Sequence, residues 1–149
     1  MDFIRDYQIL IAAVVGWASA QFTKTIIHLI ITKKFVAERL VGTGGMPSSH
    51  SATVCALATA VCYNYGAQSV EFAIAAIFAI VVMYDALGVR RETGRQAIVI
   101  NEMIEMFNNM GKKMSATDRL KEFVGHTPLQ VVVGAIMGSG IAFLICYMV

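Results

Sequence analysis

Charged side chains are scarce in this sequence. Of its 149 residues, 15% are Asp, Glu, Lys or Arg, whereas 57% are apolar and the mean hydropathy is +0.65. Soluble globular domains carry about 25% charged residues, so the composition excludes an ordinary water-soluble domain. We therefore expect one integral membrane domain, residues 1–149, in a bacterial-type plasma membrane.

Proline and cysteine are also rare, at two and three residues. No low-complexity linker, internal repeat or second domain interrupts the chain. The N-terminus lacks a basic segment followed by an apolar core and a cleavage site, so no removable signal peptide is predicted. Cys55, Cys62 and Cys146 all fall in apolar segments, where we expect packing residues and not a disulfide set or metal cage.

Four apolar segments, near 9–31, 47–65, 70–88 and 128–149, are candidates for the ~20 residues that cross a ~30 Å hydrocarbon core. The second is the shortest, and it can cross if the other helices bury it. The sequence thus predicts an all-α, polytopic membrane bundle of about four spans. In the loop 89–127, residues 97–110 predict an amphipathic helix that either lies on the membrane surface or covers a site, and residues 115–123 a short helix.

Basic residues are unevenly distributed. Of twelve Lys and Arg, three lie between the first and second spans, seven between the third and fourth, and none between the second and third. Cytoplasmic loops accumulate Lys and Arg. Both basic loops are therefore predicted to be cytoplasmic and both termini to lie on the opposite side, and the basic patch is expected to meet anionic lipids and not nucleic acid.

Two patterns predict how the helices pack. Trp17, Gln21, Lys24 and His28 recur at helical spacing, and this polar stripe is expected to face the other helices. Small residues repeat every four positions in the second and fourth spans, where they favour close helix contacts (Ala52, Ala56, Ala60; Gly134, Gly138).

Two predicted helix starts carry a histidine each and share the cytoplasmic face. Residues 44–51 (GGMPSSHS) open the second span, and residues 125–128 (GHTP) open the fourth. Helix N-termini present unpaired N–H groups and positive dipole ends to anions. Asp85, Arg90 and Arg91 follow at the end of the third span. Such a set is typical of phosphoryl transfer, which needs charge neutralisation, a nucleophile and a proton donor.

These residues carry a family resemblance. Residues 46–51 and 125–131, with Gly134 and Gly138, resemble two motifs of the type 2 phosphatidic acid phosphatase and vanadium haloperoxidase superfamily. Together with residues 83–91 and 94–97, they more closely resemble its divergent branch, small membrane proteins related to acid phosphatases and vanadium-dependent haloperoxidases. The resemblance covers nearly the whole chain.

The resemblance implies roles for individual residues. His126 would be the nucleophile that forms a phosphohistidine, and His50 the acid that protonates the leaving group. Candidate phosphate ligands are the Ser side chains and amides of the glycine loop together with nearby basic groups, and two further residues would support the site (Gly45, Ser48, Ser49, Lys24, Arg90, Arg91, Arg119, Lys121; Asp85, Gln130). Neither a metal nor another cofactor is expected.

The chain departs from the superfamily pattern at three places. The first motif, a Lys followed seven residues later by Arg-Pro, is absent. Leu120 stands where the last motif has Arg, and its neighbours Arg119 and Lys121 are both candidate substitutes. Gln130 replaces a carboxylate, so it can accept the imidazole N–H but cannot stabilise imidazolium by charge.

The sequence is compatible with three functions. The first is a membrane phosphatase or phosphotransferase that acts on a lipid or isoprenoid phosphate at the cytoplasmic leaflet. The second is an inactive member of the family that binds anionic lipids or acts as a scaffold. The third is a small transporter or channel component that uses the polar stripe. Because the superfamily core has six helices, either a partner subunit, such as a second copy of the chain, or the amphipathic helix is expected to complete the site.

Overall fold

The computed structural model describes residues 5–33, 45–110, 120 and 125–149, except for the side chain of Arg90. Five helices and no strands occur in these ranges: α1 (Gln8–Thr32), α2 (Ser49–Tyr65), α3 (Val70–Leu87), α4 (Val89–Asn109) and α5 (Pro128–Met148). The all-α prediction is confirmed. The short helix predicted for 115–123 lies outside the described residues.

Three helical segments in the described part of the chain are long and apolar enough to cross a membrane. They are Gln8–Thr32 (α1), Val70–Asn109 (α3 together with α4) and Pro128–Met148 (α5). α2 has 17 residues and is shorter than these segments. It packs against α1, α3 and α5, so neighbouring helices surround it. Burial among other helices is the condition under which the short second span is expected to cross the membrane.

α2 is the centre of the bundle because small residues let its neighbours approach closely. Ala52, Ala56 and Ala60 are fully buried. A Cβ atom on Gly138 of α5 would collide with the carbonyl of Ala52, and one on Gly16 of α1 would lie 2.9 Å from the Ala56 Cβ. The four-residue repeats therefore act as close-packing surfaces, the usual means by which helices associate in lipid.

Large apolar side chains cover the outside of the bundle. On α3, the side chains of Val70, Ile74, Ile77, Phe78 and Val81 are all more than half exposed. In water such a face would be costly, whereas in a bilayer it meets hydrocarbon. The exposed face of α3 is thus what a membrane-embedded helix requires.

α4 starts earlier than its periodicity predicts. The amphipathic helix expected at 97–110 begins at Val89, directly after Gly88, which ends α3. Arg, Glu and Gln favour helices strongly enough to extend it backwards. Gly94, Ala97 and Asn101 share one face and are buried. Among the described helices, α4 contacts only α3.

The polar stripe of α1 divides into a buried part and an exposed part. Gln21 and Lys24 are 6% and 3% exposed, whereas Trp17 is 41% exposed. The interior face of α1 is centred on Gly16, Ala20 and Lys24, which recur every four residues, and Trp17 lies at its edge. The expectation that the whole stripe faces the bundle is wrong for Trp17, because its bulk does not fit the close approach of α1 to α2.

Candidate functional site

The start of α2 is held by its own serines. Ser48 is the N-cap residue, and its Oγ accepts hydrogen bonds from the Ser51 N–H (3.3 Å) and the Ser51 hydroxyl (3.0 Å). Ser48 and Ser51 are completely buried. Gly45 has a φ of +86°, a conformation that glycine adopts without strain. The loop therefore enters α2 in one fixed geometry.

The start of α5 is a capping box. The Thr127 side chain accepts from the Gln130 N–H (3.4 Å), and the Gln130 Oε1 accepts from the Thr127 N–H (3.0 Å). Pro128 occupies the first turn, where its missing N–H costs nothing. This motif determines the direction in which the Gln130 side chain points.

The two helix starts are joined directly. The Ser48 N–H donates to the Gln130 carbonyl at 3.0 Å. Gly134 lies one turn further along α5, and a Cβ atom there would collide with the Ser48 carbonyl. A backbone hydrogen bond and a contact that only glycine permits thus hold the first turns of α2 and α5 together.

This junction brings both predicted catalytic histidines together. The ring centroids of His50 and His126 lie 5.8 Å apart, with an interplanar angle of 61°. His126 is 3% exposed, and its backbone N–H donates to the carbonyl of Ala86 at 3.1 Å. His50 is partly exposed with a buried Nδ1 atom. α2, α3 and α5 together position the pair.

The hydrogen bonds of Gln130 indicate which ring nitrogen of neutral His126 carries the proton. The Nδ1 atom of His126 lies 3.2 Å from Gln130 Oε1. Because this oxygen already accepts from the Thr127 N–H, the ring nitrogen that faces it is the donor. Neutral His126 then carries its proton on Nδ1 and its lone pair on Nε2.

Lys24 is a buried residue of α1 that lies beside the glycine loop. Its Nζ donates to the Gln21 Oε1 at 2.7 Å. A Cβ atom on Gly45 would lie 3.3 Å from the Lys24 Cγ and 3.5 Å from its Cδ. The stem of Lys24 thus runs beside the loop that precedes α2, and glycine at position 45 leaves room for it.

Comparison with known proteins assigns the chain to a family. The family model described as "Divergent PAP2 family" matches residues 5–141. A relative from Bacillus subtilis (strain 168), described as "Uncharacterized membrane protein YuiD", is 37% identical over 158 residues, which cover 99% of this chain and 98% of the relative. No solved structure matches significantly.

The chain belongs to the divergent PAP2 family. The region matched by the family model includes both histidines, both helix starts and Gly138. The predicted family membership is therefore confirmed, and so is the membrane character of the protein.

The other predicted site residues of this divergent PAP2 protein differ in placement. Asp85 lies in the last turn of α3, directly before the carbonyl that binds the His126 backbone. Arg91 is exposed in the first turn of α4. Arg90 belongs to the same turn, but its side chain is outside the described part of the protein, as are Arg119 and Lys121.

The serines have different surroundings from one another in this divergent PAP2 protein. The hydrogen bonds of Ser48 are made within the protein: its Oγ caps α2 and its N–H binds Gln130. Ser49 is 6% exposed and its carbonyl accepts from the Thr53 hydroxyl. Ser48 therefore acts as the cap of α2 and as a contact to α5.

Sequence reasoning did not identify two groups that shape the site. The Ala86 carbonyl has no signal in the sequence, because any residue supplies a carbonyl. Gln21 was assigned only to the polar stripe, although its spacing of three residues from Lys24 predicts a contact on one helix face. In the described ranges, no group of three or more His, Cys, Asp and Glu side chains could hold a metal ion.

Proposed function

We propose that this protein is a membrane-embedded phosphatase or phosphotransferase that acts on a lipid or isoprenoid phosphate at the cytoplasmic face. The observation that carries the proposal is the junction of two helix N-termini, each with a histidine, whose rings are 5.8 Å apart. Membership of the divergent PAP2 family supports a phosphatase-related function.

The phosphate group would bind where the two helix starts meet. The N-terminal ends of α2 and α5 contribute two positive dipole ends. The hydroxyl and the backbone N–H of Ser49 would donate hydrogen bonds. Lys24 would supply a full positive charge beside Gly45, a position that suits it to the task of the missing first motif. Arg91 and the neighbouring basic residues would attract the anionic headgroup.

Transfer would proceed through His126. Its Nε2 lone pair attacks phosphorus, the Nε2–P bond forms, and the bond from phosphorus to the lipid oxygen breaks. His50, in its protonated form, donates its proton to the departing alkoxide. The neutral His50 then removes a proton from water, or from an alcohol acceptor, which attacks phosphorus and releases His126. The hydrogen bond from Nδ1 to Gln130 holds the ring throughout.

The proposal is tested with phosphate release from a panel of lipid and isoprenoid phosphates in detergent or liposomes. His126→Ala and His50→Ala should each lower release by at least about a hundredfold, the usual size of a lost acid–base or nucleophilic group. His28→Ala is the matched control, because His28 lies near the end of α1 and bonds to Thr32. Equal phosphate release by wild type and both histidine variants would contradict the mechanism.

Gln130 favours a second candidate, an anionic-lipid-binding protein without turnover. A neutral amide beside His126 holds the ring but adds no charge to stabilise imidazolium. Such a protein would retain saturable binding of phosphorylated lipids, weakened by Lys24→Met, and would release no phosphate. Binding measured in the same liposomes, alongside release, separates the two functions.

A further inference from the structure

Asn101 is a buried amide in a helix whose described side chains are mostly exposed. It is 4% exposed and shares its face of α4 with Gly94 and Ala97. Asparagine favours helices less than Ala, Leu or Glu does, and burial of an amide is costly unless its polar atoms are hydrogen-bonded. An asparagine at this position therefore indicates a specific polar contact.

Both ends of this amide bind the backbone of one distant residue. The Asn101 Nδ2 atom donates to the Leu120 carbonyl at 3.0 Å, and the Leu120 N–H donates to the Asn101 Oδ1 atom at 3.1 Å. An amide can serve as donor and acceptor at once, and the same pair of bonds joins opposite residues in an antiparallel sheet. The contact uses only the backbone of Leu120, which is itself 44% exposed. Asn101 thus holds one point of the chain independently of the side chain there.

A second backbone contact follows where the chain reaches α5. The backbone N–H of His126 donates to the carbonyl of Ala86, near the end of α3. Since α4 begins one residue after α3 ends, Ala86 and Asn101 belong to two consecutive helices. The chain that leads into α5 is therefore fastened to these helices at two points, Leu120 and His126.

The length of α4 between the two contacts is similar to the reach of the chain that joins them. Leu120 precedes His126 by six residues, and a chain of that length spans at most about 20 Å. From Gly88 to Asn101, α4 also rises by about 20 Å. We therefore expect a displacement of Leu120 to reach His126.

Gly125 makes the position of His126 depend on such contacts. It directly precedes His126 and has a φ of +95°, a conformation that glycine adopts without strain. Because Gly125 has no side chain, it restricts little the direction in which the chain enters His126. The contacts at Leu120 and Ala86 supply the restraint that this turn lacks.

We propose that Asn101 is a positioning residue for His126. By binding the backbone of Leu120, it fixes the chain that enters the histidine, so that α4 helps to hold the Nε2 atom of His126 in line with the phosphorus atom. This inference rests on the proposed function. Asn101 acts through the backbone and not through the phosphate, so loss of its two hydrogen bonds slows the transfer step and leaves phosphate binding intact.

Asn101→Leu tests this role, because leucine has the same branched shape but binds neither backbone group. It should lower kcat for phosphate release by about tenfold or more, since a displacement of about 1 Å can cost about a hundredfold in rate. KM and the inhibition constant of vanadate should change by less than about twofold, as expected when only the transition state is affected. Asn109→Leu is the matched control, because Asn109 is exposed at the end of the same helix. An equal fall in kcat in the control, or a rise in KM at unchanged kcat, would overturn the inference.

A second measurement does not depend on turnover. NMR spectra of protein with nitrogen-labelled histidine show which ring nitrogen of neutral His126 carries the proton, and His126→Ala assigns the signals. Asn101→Leu should shift the His126 signals or divide them between two forms, whereas the signals of His28, on α1, should stay in place. Asn109→Leu should change neither.

The two measurements separate this inference from the proposed function. If Asn101→Leu changes the His126 signals but the wild type releases no phosphate, the positioning role stands and the phosphatase proposal fails. If the folded variant keeps the wild-type His126 signals, the positioning role is wrong, even if its thermal unfolding midpoint is lower.

Discussion

Gln130 combines two tasks in one side chain. Its amide oxygen completes the capping box of α5 and also accepts the Nδ1–H of His126. Each task needs an acceptor at the same point in space, so a residue that serves the helix also sets the tautomer of the histidine. The amide serves both as a cap and as an orienting group, but it contributes no negative charge.

We predict that Gln130→Glu raises activity. A carboxylate at this position would still accept from the Thr127 N–H and from His126, and it would stabilise imidazolium and the N-terminal dipole of α5. An increase in kcat of about tenfold or more is expected, since the charge of the orienting carboxylate matters strongly in histidine-based catalysis. Steady-state phosphate release measures it.

The control for this substitution is Gln130→Leu, which removes the acceptor for both donors. It should lower the thermal stability of the protein as well as its activity. If Gln130→Glu left kcat unchanged while the protein stayed folded, His126 would not act as the group that gains charge during the reaction.

Lys24 is the second residue with a specific prediction. A hydrogen bond to a charged group contributes about 1.5–3 kcal/mol, so Lys24→Met should weaken phosphate or vanadate binding by about tenfold or more. Methionine preserves the apolar stem that lies against Gly45. Inhibition constants for both anions provide the measurement. Lys33→Met, at the exposed end of α1, should leave them unchanged, and a comparable loss there would indicate a general charge effect.

At the scale of elements, the contact between α2 and α5 determines the site. Gly134 and Gly138 lie against the backbone carbonyls of Ser48 and Ala52. The same face that packs the helices therefore also sets the separation of the two histidines. Packing and site geometry are inseparable here, because both depend on how closely two backbones approach.

Gly138→Ala should separate α5 from α2. The added Cβ would collide with the Ala52 carbonyl, and overpacking of this kind costs about 1–3 kcal/mol. Thermal unfolding in detergent should show a lower midpoint, and activity should fall with it. Gly140→Ala is the matched control on the same helix, because no atom lies within 4 Å of its added Cβ. Alanine favours helices over glycine, so the control should keep or raise the midpoint. Equal effects of the two substitutions would show that helix propensity, not close packing, governs α5.

At the scale of the whole molecule, the distribution of basic residues predicts the orientation in the membrane. An impermeant thiol reagent applied to intact cells should label Gln68→Cys, in the loop between α2 and α3. Asn109→Cys, at the end of α4, should react only after the membrane is opened. The wild type serves as the background, since its three cysteines all lie within helices. The reverse pattern would place the histidines on the outer face.

Much of the architecture follows from the sequence alone. Apolar length predicts the positions of α1, α3 and α5, and the pairing of glycine or proline with hydroxyl residues predicts where α2 and α5 begin. Periodicity predicts less well where α4 starts, because the residues before 97 are helix formers without an apolar pattern. The family motif indicates that His50 and His126 lie close together, but only the backbone bond from Ser48 to Gln130 explains how they are held.

The central place of α2 has a consequence for how the protein is made. This helix is less apolar than α1, α3 and α5, and its first turn is rich in hydroxyl groups, so it partitions poorly into lipid by itself. Its most extensive partner, α5, is the last of the described helices to leave the ribosome. During synthesis, we therefore expect α1 and α3, or the translocon, to shelter α2 until α5 arrives. The two histidines therefore meet only after α5 has joined the bundle, so a chain that stops before α5 cannot form the pair.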